Sequence, residues 1–263
     1  MTTWEALILG IIQGLAEFLP ISSSGHIIIG KEFFGIETND LSFEIVVHAA
    51  TVLSTIIVFR KDIISLLKDF FAFKMNPGTK YVLYILVSMI PVMIVGLFFK
   101  DYVESLFGEG LVVVGVALIC TALLLYFSQR RTGGDKDLTY KSAFLIGISQ
   151  AIAVIPGLSR SGATISTGLL LGVSREKIAG FSFLMVLIPV LGETFLELVG
   201  GKMGGSVSST GTLQLAAGFM TAFITGLIAC RTMVLLVKRA KLSGFAIYCA
   251  IAGIFCIMAK FIF

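Results

Sequence analysis

Two short stretches concentrate the groups able to do chemistry in a chain otherwise poor in them. The first runs from Gln13 to His26 and holds Gln13, Glu17, Ser22, Ser23, Ser24, Gly25 and His26. The second, within 156–166, holds Ser159, Arg160, Ser161, Gly162 and Thr164. Arg160 offers a permanent charge on a planar fork that matches phosphate oxygens. Both Ser/Gly runs precede helical patterns, so backbone N–H groups at helix N-termini would point at an anion. Glu17 and His26 are able to move protons at neutral pH. Gln13 and Glu17 are four apart and share one helix face. Together these groups suit a phosphate ester or anhydride. Plainer roles exist for each alone: serines cap helices, His26 could be a satisfied structural histidine, and Arg160 could neutralise Glu17. The coincidence of all of them on two related loops favours the chemical role. Glu44 and His48, also four apart, are expected to be structural or peripheral, and Glu193 and Glu197 interfacial.

The elements that position these loops are read from hydropathy. The 263 residues are 57% hydrophobic and 14% charged, with a mean hydropathy of +1.00. A soluble domain carries about 25% charged residues, so much of this surface is expected to meet lipid. No basic run suggests nucleic-acid binding. Six stretches are apolar and near the roughly 20 residues a helical span needs: 42–59, 81–99, 111–128, 179–198, 213–236 and 243–262. Two others, 3–35 and 142–172, are interrupted by LPISSSGH and PGLSRSG. Such clusters break helices. Broken backbone is tolerated at membrane depth only where protein or water shields it. Each is therefore read as a re-entrant helical hairpin. The first twenty residues lack the basic start of a signal peptide and contain Glu5 and Glu17. Cys120, Cys230, Cys249 and Cys256 lie in apolar segments without a CxxC pair and are expected to be buried small hydrophobes.

An offset of 137 lays GIIQGLAEFLPISSSG at 10–25 over GISQAIAVIPGLSRSG at 147–162. Gly10 meets Gly147, Gln13 meets Gln150, and Ser22, Ser24 and Gly25 meet Ser159, Ser161 and Gly162. Each half, 1–130 and 140–263, thus holds one hairpin and three spans. Three is odd, so the second half must be inverted relative to the first. The expected fold is an all-α polytopic membrane protein built from an inverted-topology repeat, forming a single membrane domain. Fourteen of the twenty Lys and Arg fall in the loops at 60–80, 129–141, 175–177 and 237–241. The positive-inside rule puts those loops in the cytoplasm and both termini outside.

QGLAEFLPISSSGH at 13–26 resembles the (E/Q)xxxE and PxSSxGH signature of the bacterial undecaprenyl-diphosphate phosphatases of the bacitracin-resistance type. PGLSRSGATIS at 156–166 resembles their second signature, PGxSRSG, and the likeness extends over the whole chain. It implies hydrolysis of the terminal phosphate of undecaprenyl diphosphate, recycling a lipid carrier for peptidoglycan synthesis in the bacterial plasma membrane. The site would open toward the outer face. It also implies a divalent cation, Mg2+ or Ca2+, with Glu17 and Gln13 as candidate ligands. Position 13 is Gln where some members have Glu, which puts in doubt a mechanism needing two carboxylates from this helix. Carried over by residue, Arg160 clamps the diphosphate and Glu17 binds metal or carries a proton. His26 is base or nucleophile, and Ser23 binds or attacks phosphate. Ser22, Ser24, Gly25, Ser159, Ser161, Gly162 and Thr164 line the anion cradle. The partners are the polyprenyl diphosphate and membrane lipid, with a homodimer left open. The competing reading is an inverted-repeat transporter or flippase of an anion or lipid phosphate.

Overall fold

The computed structural model describes residues 1–36, 42–107, 110–130, 134–199, 210–239 and 242–262. Among them are twelve helices and no strand. The N-terminal half contributes α1 (Thr3–Ala16), α2 (Ser23–Phe34), α3 (Ser42–Val58), α4 (Arg60–Phe71), α5 (Pro77–Phe98), α6 (Lys100–Phe107) and α7 (Leu111–Arg130). The C-terminal half contributes α8 (Tyr140–Ile152), α9 (Arg160–Leu170), α10 (Arg175–Val199), α11 (Thr212–Arg239) and α12 (Ser243–Ile262).

Local signals set several of these ends. Thr2 caps α1 in a capping box, its hydroxyl accepting from Glu5 N while the Glu5 carboxylate accepts from Thr2 N. Asn76 caps α5 ahead of Pro77 at its first position. Gly35 ends α2 in the left-handed region, with φ +63°.

Among the described residues, three helices are long and apolar enough to cross a membrane: α5, α7 and α11 from Thr212 to Val237. α3 reaches that length only together with α4, from which it is bent by 74°. The segment 60–80, expected to be a loop, therefore contains α4 and the start of α5. α4 has no buried residue and exposes Ile64, Leu67 and Phe71 beside Arg60, Lys61 and Lys68. That mixture of apolar and basic side chains suits a helix lying in a membrane interface. Residues 100–107, also expected to be loop, form the short α6.

Large apolar side chains point outward along the long helices, among them Leu97 and Phe98 on α5, Leu123 on α7, Ile228 on α11 and Ile251 on α12. The core instead contains small contacts that bring backbones together. A methyl group on Gly115 of α7 would lie 2.7 Å from the Gly253 carbonyl oxygen of α12, and one on Gly253 would lie 2.6 Å from that of Gly115. Packing of this kind is how apolar helices associate without help from water. Helices from the two halves are exchanged: α1 packs along α11, and α8 along α5. Near the expected cytoplasmic face, Lys136 N donates to Gly172 O and Ser174 N to Lys136 O. The chain just before and just after the 142–172 segment is thus held together.

Of the cysteines, Cys230, Cys249 and Cys256 are buried as expected, but Cys120 is exposed on the outer side of α7. The side chains of Glu193 and Glu197 lie outside the described residues.

Candidate active site

The two interrupted segments meet in the interior. Ser161 Oγ donates to Leu19 O at 3.2 Å. A methyl group on Gly25 would lie 3.0 Å from Gly157 Cα. The two loops also share a local design. Ser22 caps α2, its Oγ accepting from Gly25 N at 3.2 Å, and Ser159 caps α9, its Oγ accepting from Gly162 N at 3.1 Å. Each cap hydroxyl lies against the serine two residues on, Ser24 at 3.3 Å and Ser161 at 3.4 Å. Ser22 holds φ +72°, unusual for a residue with a side chain. In the second loop the left-handed position is Gly157, with φ +92°. Thr121 of α7 fixes that loop by accepting Ser159 N at 3.0 Å in a buried contact.

Glu17 stands just past the end of α1. Its Oε2 accepts Ser23 Oγ at 2.6 Å and Gln13 Nε2 at 3.0 Å. The first of these has the length usual for a hydroxyl donating to a charged carboxylate. His48 Nε2 lies 3.7 Å from the same oxygen, while His48 Nδ1 donates to Glu44 O at 2.8 Å. Glu44 itself pairs with Lys31. His48 is therefore not peripheral: it comes from α3 into the group around Glu17.

Two clefts flank these residues and share Glu17 and Arg160. One, of about 320 Å³, is lined by Ser22, Ser23, Ser24, His48 and Ser159 as well. The other, of about 430 Å³, continues past Phe18, Val52, Phe183, Val186, Leu187 and Val190. A charged, hydroxyl-lined chamber thus adjoins an apolar one. No hydrogen bond of the Arg160 guanidinium is found among the described residues; it shares both clefts with Glu17, near enough for the two charges to attract.

The remaining residues named from sequence take other positions. His26 does not line either cleft. Its Nδ1 donates to Ser22 O at 2.7 Å, and its Nε2 accepts the Tyr248 hydroxyl of α12 at 2.6 Å. Thr164 is buried and bonds Arg160 O and the Ser182 hydroxyl, tying α9 to α10. Gly25 and Gly162 have their N–H groups engaged by the caps, so those two amides brace the loops. Sequence reasoning placed Ser22, Ser23, Ser24, Ser159, Arg160 and Glu17 around one chamber, and they are there. It missed His48, Thr121 and Tyr248. For His48 a signal existed: an ionisable residue inside an apolar helix is a functional candidate by default, yet its spacing from Glu44 suggested a local pair.

Residues 6–255 match the family model described as "Bacitracin resistance protein BacA". The chain belongs to the BacA family. It is 55% identical over 257 residues to a protein of Parabacteroides distasonis named undecaprenyl-diphosphatase, covering 97% of each chain. It is 52% identical over 263 residues to one of the same name from Bacteroides thetaiotaomicron, covering 99% of this chain and 100% of that one. A third, from Korarchaeum cryptofilum, is 40% identical over 260 residues, covering 95% of this chain and 96% of that one. The region matched to the BacA family includes both loops and every helix that supplies a group to the clefts.

Proposed function

We propose that this chain hydrolyses undecaprenyl diphosphate to undecaprenyl phosphate and inorganic phosphate, returning the lipid carrier for cell-envelope polymer synthesis. The observation that carries the reading is the Ser23–Glu17 hydrogen bond beside Arg160, in a chamber that opens into an apolar cleft. An amphiphile with a diphosphate head and an isoprenoid tail matches both parts. The names of the BacA relatives agree with it.

The residues divide the work as follows. Arg160 receives the terminal phosphate on its planar fork and offsets the charge that spreads over the equatorial oxygens in transfer. Ser23 Oγ, or a water in its place, attacks phosphorus in line with the bridging oxygen. Glu17 Oε2 takes the attacking group's proton. The bond from phosphorus to the bridging oxygen breaks, and the lipid phosphate leaves. Where Ser23 is the attacking group, a water then attacks the phosphoserine, the bond from Ser23 Oγ to phosphorus breaks, Oγ takes a proton back and inorganic phosphate is released. Ser22 and Ser159 hold the two loops at the helix N-termini, so that the chamber is preorganised. Positioning and electrostatics carry most of such a reaction.

A divalent cation, Mg2+ or Ca2+, fits this set. Gln13 is fully buried, and its Oε1 has no hydrogen-bond partner among the described residues. That orphaned oxygen, one helical turn from the Glu17 carboxylate, is a donor suited to a hard cation. When bound, the cation would neutralise charge on the diphosphate oxygens.

The architecture belongs to the same proposal. An inverted-topology repeat, 1–130 and 140–263, is supported by the matched capping geometry of the two loops and by the reciprocal packing of α1 on α11 and α8 on α5. Each half would contribute one re-entrant hairpin and three spans. Both termini would lie outside, as the basic residues of the segments 60–80 and 129–141 favour, and the site would open toward the outer face of the plasma membrane. Homodimerisation remains an expectation of the resemblance alone. Phosphate release from undecaprenyl diphosphate by the purified protein in detergent tests the activity. Release that is absent at every divalent cation tried would reject it.

A further inference from the structure

His48 makes an arrangement that the reaction as drawn leaves unused. Its Nδ1 is committed as donor to the Glu44 carbonyl oxygen at 2.8 Å. In the neutral ring this leaves Nε2 with a lone pair. That lone pair faces Glu17 Oε2 at 3.7 Å, beyond hydrogen-bonding range. Oε2 meanwhile already accepts Ser23 Oγ and Gln13 Nε2. With Nε2 unprotonated, two electron-rich atoms face one another, and the buried, orphaned Oε1 belongs to the same Gln13 that donates to Glu17.

A cation resolves this. Ligand atoms each about 2.1 Å from one ion stand no more than about 4.2 Å apart, and 3.7 Å falls within that span. A ring held by an Nδ1–H bond to a carbonyl is also the usual support of a metal-ligating histidine. The other histidine, His26, lacks this freedom because Tyr248 occupies its Nε2. Among the described residues no three His, Cys, Asp or Glu side chains cluster. Glu17 and His48 would thus be the only such ligands among them, with Gln13 and substrate oxygens completing the sphere.

We propose that His48 Nε2 is a direct ligand, with Glu17, of the divalent cation, so that this site takes Mn2+ or Zn2+ more tightly than Mg2+ or Ca2+. The proposal rests on the reading that the site works with a divalent cation. An imidazole donor favours transition metals, whereas carboxylate and amide oxygens alone favour Mg2+ and Ca2+.

The test uses metal-stripped, tag-free protein in detergent, titrated with Mn2+ and followed by pulsed electron paramagnetic resonance. Bound Mn2+ should show nitrogen modulation from one imidazole. His48→Gln should lose that modulation while still binding Mn2+, at least about tenfold more weakly. His26→Gln should keep it. Modulation that survives His48→Gln, or is absent from the unmodified protein with Mn2+ bound, would overturn the assignment. Phosphate release is measured on the same samples. Hydrolysis accompanied by a nitrogen-free Mn2+ signal would remove His48 as ligand and leave the phosphatase standing. Nitrogen coordination without hydrolysis would support the ligand and overturn the phosphatase.

Discussion

Replacing Glu17 by glutamine keeps the residue's size and hydrogen bonding while removing both its basicity and its affinity for a cation. The amide oxygen introduced by Glu17→Gln would still accept Ser23 Oγ, now 2.6 Å from the carboxylate, and the side chain keeps its volume at the end of α1. What disappears is the negative charge, and with it the capacity to hold a proton and to ligate a cation. A positioned base contributes about 10²–10⁴ in rate, so turnover should fall at least about a hundredfold, equivalent to roughly 2.7 kcal/mol of transition-state stabilisation. Binding of the lipid diphosphate should persist or tighten, because a negative charge near the phosphates is gone. Ser23→Ala should lose a comparable factor if its hydroxyl is the group that Glu17 activates. The double variant then discriminates. Independent losses would multiply to about 10⁴ or more, whereas residues acting as one unit give a double variant within about tenfold of the worse single one. The assay is phosphate release with substrate binding measured on the same preparations. Near-normal turnover in Glu17→Gln, or full multiplication in the double variant, would refute the Ser23–Glu17 couple.

Three further outcomes are expected. Arg160→Lys should lose most turnover while remaining folded, because an ammonium cannot reproduce the bidentate fork; near-normal phosphate release would discard the clamp. Thr121→Val, nearly isosteric, should strand the buried Ser159 N–H and cost about 1–3 kcal/mol of stability, read from thermal unfolding in detergent, with turnover falling as the second loop loosens. On a background lacking the four native thiols, a cysteine at Asp101 should react with an impermeant reagent in intact cells and one at Met75, exposed after α4, should not; the reverse pattern would invert the topology.

The sequence made the chamber legible because its residues are anomalous where they stand. Glu17 and Arg160 interrupt apolar segments, and their flanking Ser and Gly residues both break the helices and cap the next ones. The offset of 137 pointed from the first loop to the second, and Ser22 and Ser159 each cap the following helix by accepting the amide three residues on, although only Ser22 takes a positive φ. What stayed hidden depends on neighbours far apart in the chain. His48 reaches Glu17 from another helix, and Tyr248 captures His26 across 222 residues. No local spacing encodes either contact. The one-turn spacing of Glu44 and His48 even pointed away from the site, because Lys31 takes the Glu44 carboxylate instead. α4 escaped notice for a different reason: its basic residues satisfied the expectation of a cytoplasmic loop, while its interleaved Ile64, Leu67 and Phe71 were the helical signal.

The most direct trial of the phosphatase reading follows both fates of the substrate in one vessel. Purified protein is reconstituted into vesicles carrying undecaprenyl diphosphate, and phosphate release and transbilayer movement of the intact lipid are measured together. The expected result is one phosphate released for each undecaprenyl phosphate formed, abolished by Glu17→Gln. Movement of intact undecaprenyl diphosphate with no phosphate released would contradict it and identify a transporter.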